Sequence, residues 1–312
     1  MSDISILIIG AGNIANDHLK SLSSIKKINI YSILSRTQIK ADQLAISYKI
    51  KNVIKSYSDL PNHINKIDLI MVLVNPDQIL SVFNKIKIYK KFIFFEKPIG
   101  INFNESKKIL NDVQKLNLKT FVGFNRRFYS NLNHGLKKLL YKDKKIVSIV
   151  IEGNERIWLV KKIDKHNSYI NFWPYVNSIH TVDLIRHIGG EVKYQSFNKQ
   201  RSNFSYYSLM KTKNNILVNY ISNYDFFDGW SVKIYNNNGE YIHLKPLENC
   251  SFISKKSVNR IDFHQVDKKF KAGFNPMHLK MIDIFKNTSK DSHKYNIQDA
   301  FKSVKLVKKI FY

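Results

Sequence analysis

Over residues 1–123 the chain repeats one pattern. A short, nearly uninterrupted apolar run is followed by a longer stretch in which apolar and polar positions recur with helical spacing. Residues 4–9 (Ile-Ser-Ile-Leu-Ile-Ile) open it, then Gly10-Ala11-Gly12-Asn13-Ile14-Ala15 and a mixed segment through Ser23. Further apolar runs stand at 28–34, 52–54, 68–74, 92–95 and 119–123, with helices predicted near 39–48, 76–89 and 104–116. Asn102 and Asn104 are N-cap candidates for the last of these. Apolar strands without polar alternation belong to a parallel sheet covered on both faces. Alternating with helices, they predict an α/β, Rossmann-type doubly wound parallel sheet and a first domain over residues 1–123.

Beyond Gly123 the rhythm changes. A helix is expected over 131–142 and a strand over 145–152, then an irregular stretch rich in Lys, Asn and Trp leads to Phe172-Trp173-Pro174. A helix over 177–188 is stopped by Gly189-Gly190. Strand patterns follow at 192–198, 204–212, 216–224, 230–235 and 241–244, joined by turns such as Asn237-Asn238-Gly239. Two closing helices are expected over 276–286 and 297–311. The second domain, 124–312, therefore reads as α+β with an open, mostly antiparallel sheet, its terminal helices packing back on the first domain.

Composition narrows the classes. With one cysteine, Cys250, the chain can form no internal disulfide, which fits a reducing compartment. The opening apolar run is a strand rather than a signal peptide, and no run approaches the roughly 20 residues of a membrane span. A cytoplasmic protein is expected. The net charge of +27 comes from scattered lysine pairs; only seven residues are arginine (Arg36, Arg126, Arg127, Arg156, Arg186, Arg201, Arg260). Without a basic stripe interleaved with aromatics, this surface predicts no nucleic-acid partner.

Two stretches carry candidate chemistry. Strand, Gly10-x-Gly12-x-x-Ala15, helix is the dinucleotide fingerprint in its required context: Gly10 for the tight turn, Gly12 for close backbone approach, and free N–H groups near Asn13 and Ile14 for a pyrophosphate. After the second strand, Ser35-Arg36-Thr37 stands where an acidic residue would select NAD, so NADP is slightly favoured over NAD. The other stretch is the apolar run at 92–95 ending on Glu96-Lys97-Pro98, which brings charged groups to the carboxyl end of a buried strand, where such sheets bind ligands. Arg126 and Arg127 follow the sixth strand; at least one is expected to face the cleft and clamp a substrate phosphate or carboxylate. The alternative is an interdomain structural ion pair. Tyr129, Trp173 and Tyr175 are candidates for a sugar pocket or for core. The histidines show neither H-x-x-x-H nor H-E-x-x-H spacing, so no catalytic metal is expected.

With these pieces in order, the chain resembles the glucose–fructose oxidoreductase / inositol dehydrogenase / MocA (Gfo/Idh/MocA) family over nearly its whole length. The marks are Gly10–Ala15 with His18, Ser35-Arg36, Asn75-Pro76-Asp77, Glu96-Lys97-Pro98, residues 123–128 (Gly-Phe-Asn-Arg-Arg-Phe), His180 with Asp183, and residues 296–300. The resemblance implies reversible hydride transfer between nicotinamide and a carbinol or keto carbon of a sugar, nucleotide-sugar or polyol. It also implies a homo-oligomer, dimer or tetramer, with the open sheet as a common interface. Lys97 matches the family's catalytic lysine and His180 its acid/base histidine; Asn75, Pro76, Glu96 and Lys97 fall at cofactor positions. An unperturbed histidine titrates near pH 6.5, which suits proton abstraction from a hydroxyl, and a lysine ammonium stabilises a developing alkoxide. Asp183, one helical turn on, is a candidate to orient the His180 ring or meet substrate. Two departures bear on the acid/base network. Asn75-Pro76-Asp77 stands where the family usually has Thr-Pro-Asn, without the histidine that often follows. Many members also carry Asp four residues before the histidine, where this chain has Val176, with Asn177 beside it able to offer a hydrogen bond. The departure at Val176 motivates the alternative of a catalytically weak, nucleotide-binding sensor or scaffold.

Overall fold

The computed structural model describes residues 3–163, 170–200 and 205–312. Arg201, Phe204 and residues 164–169 of the stretch expected to be irregular lie outside them. The chain divides into two compact units, Met1–Asn125 with Lys269–Lys302, and Arg126–Lys268 with Ser303–Tyr312.

In the first unit the elements run β1 (Ile4–Ile9), α1 (Asn13–Leu22), β2 (Ile28–Leu34), α2 (Gln38–Tyr48), β3 (Asn52–Ile54), β4 (Leu69–Val72), α3 (Ile79–Ile86), β5 (Phe92–Glu96), α4 (Phe103–Lys115) and β6 (Thr120–Gly123). The strands form one parallel sheet in the order β3-β2-β1-β4-β5-β6. That is the Rossmann order, and it reverses between β1 and β4, leaving a crevice at their carboxyl ends. Every residue of β4 and β5 is buried, as the unbroken apolar runs required. Of the two N-cap candidates for α4, Asn102 is the cap, its side chain accepting from the Glu105 N–H at 3.0 Å. Phe94 on β5 stacks on Phe121 of β6, and Phe121 on Tyr295, each pair 5.6 Å between ring centres.

The second unit contains α5 (Ser130–Leu139), β7 (Ile146–Gly153), α6 (Ile157–Ile163), α7 (Ile179–Gly189), β8 (Val192–Gln200), β9 (Ser205–Thr212), β10 (Leu217–Asn223), β11 (Trp230–Asn236), β12 (Tyr241–Leu244), β13 (Cys250–Ile253), β14 (Val258–Ile261) and the start of α8 (Gln265–Lys269). After α8, α9 (Phe274–Phe285) belongs to the first unit, and α10 (Ile297–Phe311) contributes residues to both. The eight strands form one sheet, β14-β13-β12-β11-β7-β10-β9-β8, antiparallel except where β10 runs parallel to β7, with Leu217 opposite Ser148.

The structure corrects the expected elements in three places. The stretch taken as irregular contains α6, which at seven residues is less than two turns and too short for a helical period to register. Strands β13 and β14 extend the sheet unannounced. They are four residues each, and β14 buries only Ile261, so neither had enough alternation to read. The helix expected over 177–188 starts instead as a π-turn, Pro174–Ser178, that runs into α7; Gly190 ends it at φ 85°.

Candidate active site

A cleft of about 930 Å³ opens at the carboxyl ends of β1, β2 and β4. Gly10, Gly12, Asn13, Ile14, Ser35, Arg36 and Asn75 all line it, so most of the expected cofactor positions come together. Pro76, which starts a 3₁₀ turn after Asn75, and Glu96 and Lys97 are not among its lining residues. Gly10 sits at φ 118°, and a Cβ there would lie 2.3 Å from the Leu73 carbonyl oxygen, so only glycine makes this turn. Gly12 is the N-cap of α1; a Cβ there would meet nothing within 4 Å and would project into the cleft. Open space above a helix N-terminus suits a phosphate, drawn by unpaired N–H groups and the helix dipole. The rim carries Arg36, Lys40, Lys55 and Lys85, and among the described residues no carboxylate lines the cleft. Sequence reasoning missed the three lysines, which share the cleft with Arg36 only through the fold.

At the tip of β5, Glu96 is buried and Lys97 half-buried. Glu96 Oε2 accepts from the Lys97 backbone N–H at 2.9 Å, while Oε1 meets His18 Nε2 at 2.9 Å. The contact continues inward: His18 Nδ1 lies 2.7 Å from His278 Nε2, and His278 Nδ1 2.9 Å from Ser21 Oγ. His18, Ser21 and His278 are fully buried. Burial, with His18 alongside, pushes the His278 imidazole well below its ordinary pKa. The chain of contacts ties α1, whose N-terminus meets the cleft, to the strand end that carries Lys97. His278 was missed because its significance lies in a contact 260 residues away in sequence.

In the second unit His180, on α7, is 4% exposed and packs beside Trp230, ring centres 5.9 Å apart. Asp183, the candidate to orient that ring or meet substrate, has these partners. Asp183 is gripped side-on by Arg127, Nε to Oδ2 at 2.7 Å and Nη2 to Oδ1 at 2.6 Å, and accepts from Ser303 Oγ at 2.7 Å. Burial would raise its pKa, but the adjacent guanidinium holds it below the usual carboxylate value. Arg127 is thus held in an ion pair within the second unit, which is not the interdomain pair weighed as its alternative role. Val176 is buried, and the nearby carboxylate is Glu155, which the sequence did not single out. Its oxygens accept from Trp173 Nε1 (2.8 Å), Asn177 Nδ2 (2.9 Å) and Ser178 Oγ (2.7 Å). Burial pushes the Glu155 carboxyl up against the opposing pull of these donors and of Trp230. Asn177 therefore faces Glu155. Of the aromatic candidates, Trp173 serves the same carboxylate, Tyr175 stacks on Tyr312, and Tyr129 lies against Arg126. Among the described residues no group of three or more His, Cys, Asp or Glu is placed to hold a metal, and no helix is long and apolar enough to cross a membrane.

The sheet order, the glycine turn and the cation-rimmed cleft define a dinucleotide-binding Rossmann unit. Residues 4–124 match the family described as "Oxidoreductase family, NAD-binding Rossmann fold" (GFO_IDH_MocA). It is 29% identical over 192 residues to the uncharacterized oxidoreductase YrbE of Bacillus subtilis (strain 168), covering 59% of this chain and 53% of that protein. It is 25% identical over 192 residues to a myo-inositol 2-dehydrogenase of Thermotoga maritima, covering 59% and 54%. The matched stretch thus spans about half the length of these curated relatives. A dehydrogenase structure from Chromobacterium violaceum superposes with a TM-score of 0.81 at 14% identity, over 99% of this chain and 94% of that one, a likeness of fold.

Proposed function

We propose that this chain is an NAD(P)-dependent oxidoreductase moving a hydride between nicotinamide and a carbinol or keto carbon of a sugar, nucleotide-sugar or polyol. The observation that carries the reading is the cleft: a glycine turn, a helix N-terminus and four cations without a carboxylate, one strand away from Glu96-Lys97. The family match and the inositol dehydrogenase relative support the same chemistry.

When bound, the dinucleotide supplies the hydride acceptor or donor. The backbone from Gly10 to Ile14 would hold its pyrophosphate, and Ser35 and Arg36 the adenosine ribose end. With Arg36, Lys40 and Lys55 on the rim, a ribose 2′-phosphate meets cations and no repelling carboxylate, so NADP is favoured over NAD. Lys97 carries the role of a positive charge at the substrate oxygen, stabilising it as its proton leaves. His180 carries that of the base that takes this proton, and returns it in the reverse direction. Glu155, held beside α7 by Asn177 and Ser178, is a buried carboxylate in a unit whose Val176 supplies none. Pairing of second-unit sheets into a homo-oligomer fits the exposed apolar positions Leu209 and Leu217 on one sheet face.

Mass analysis of the nucleotide that co-purifies, followed by turnover assays over a sugar and polyol panel with that nucleotide, tests the reading. NADP in the protein and turnover of at least one panel member are expected. No bound dinucleotide, and no affinity for an added one, would overturn it.

A further inference from the structure

Arg126 stands apart from the other arginines of α7's surroundings. Arg127 is closed on Asp183 and Arg186 on Glu191. The Arg126 guanidinium instead lies 4.9 Å from the centre of the Trp230 ring and 5.5 Å from that of Tyr129, with Nη1 donating to Tyr129 Oη at 3.0 Å. Its Nε is buried without an acceptor, and among the described residues no carboxylate comes within ion-pairing distance of it. A guanidinium does not shed its charge, and a desolvated donor left unmet is costly, so this edge has an unfilled demand for an acceptor. The unfilled edge is Nε–Nη2, the same side-on edge with which Arg127 grips two oxygens of Asp183. Trp230 also fixes where that demand is placed, because the same indole packs beside His180 at 5.9 Å. A flat aromatic support restricts the guanidinium in advance and leaves its fork to read an anion.

We propose that Arg126 is a substrate-anion subsite, and that the sugar or polyol taken at His180 carries an oxyanion substituent, phosphate or carboxylate. The assignment rests on the reading of His180 as the acid/base group and names the substrate class within it. An incoming oxyanion meets Nη2 first, and a small turn of the guanidinium on the indole face brings Nε to a second oxygen, giving two parallel charge-assisted hydrogen bonds.

Equilibrium binding to the full, cofactor-loaded chain tests this without relying on turnover. The probes are inorganic phosphate, a hexose 6-phosphate, a hexuronate and the neutral hexose, titrated by calorimetry into wild type, Arg126→Met and Arg126→Lys. In wild type, at least one anionic hexose binds about tenfold or more tighter than the neutral parent, and inorganic phosphate competes with it. Whether the phosphate or the uronate gains more tells the two oxyanions apart. Arg126→Met erases the difference, and Arg126→Lys, which keeps the charge but not the fork, retains part of it. Matching melting temperatures show that the variants fold. Charge-blind binding by wild type, no phosphate binding at all, or a preference that survives in Arg126→Met would each overturn the proposal. A charge preference without nicotinamide turnover on any sugar would remove the oxidoreductase reading and leave Arg126 as an anion site. Turnover of neutral sugars with charge-blind binding would do the reverse.

Discussion

His18 Nδ1 and His278 Nε2 face each other at 2.7 Å, in a place neither ring shares with water. Hydrogens assigned along the chain run one way: Ser21 Oγ–H to His278 Nδ1, His278 Nε2–H to His18 Nδ1, and His18 Nε2–H to Glu96 Oε1. Each buried nitrogen is then satisfied with His278 neutral. Replacing His278 with Leu leaves His18 Nδ1 and Ser21 Oγ without this partner and is expected to cost about 2–4 kcal/mol, read by urea unfolding.

The same ring sets a pH dependence. His278 has a folded pKa depressed below its unfolded value near 6.5, so acid protonates the unfolded chain first. Its contribution is fully present above about pH 6.5 and is lost as pH falls toward the depressed folded pKa. Unfolding free energies from about pH 8 down to about pH 5 should fall in wild type and fall less steeply in His278→Leu. Parallel curves would remove His278 as the source.

Lys97→Met is expected to lower kcat by about 10²–10³-fold, the usual loss when one preorganised electrostatic group is removed. Dinucleotide affinity, measured by fluorescence titration, should persist, because Lys97 does not line the cleft. Unchanged turnover would exclude Lys97 from the chemistry.

The Arg127–Asp183 pair should behave as a buried structural contact. Asp183→Asn strips the charge that neutralises a 6%-exposed guanidinium and is expected to cost about 3–5 kcal/mol in chemical denaturation. Arg127→Met with Asp183→Leu should cost less than either single change, since no lone charge stays buried. The pair's contribution is present above the ordinary carboxylate pKa and lost as pH falls through the lowered value of Asp183.

At the cleft rim, Arg36→Ala with Lys40→Ala should weaken NADP by about 10–100-fold while NAD changes little, read as dissociation constants. Equal losses for both dinucleotides would place these cations on the pyrophosphate instead.

Most of the first unit was legible because its signals are local. Consecutive apolar residues make a two-face-buried strand, and the Gly10-x-Gly12 turn is read directly at the end of one, although what forbids a side chain at Gly10 is the Leu73 carbonyl far along the chain. The Glu96-Lys97-Pro98 tip could be placed for the same reason, as a break at the end of a buried run. The second unit was less legible where elements were short or polar. Seven residues of α6 and the single buried position of β14 carry too little periodicity to separate them from loop.

The sequence by itself therefore determined the Rossmann order of elements, the glycine turn, and which strand ends on Lys97, since each follows from neighbours within a few residues. Only the tertiary structure decided which of two adjacent arginines meets no carboxylate among the described residues. Arg126 and Arg127 are consecutive, but they point to Trp230 and Asp183, partners 104 and 56 positions away by their numbering. It likewise decided that Glu155 stands beside α7 and that His278 completes the His18 chain. Ion pairing and desolvation depend on what the folded chain brings within a few ångströms, and no pattern along the chain encodes those distances.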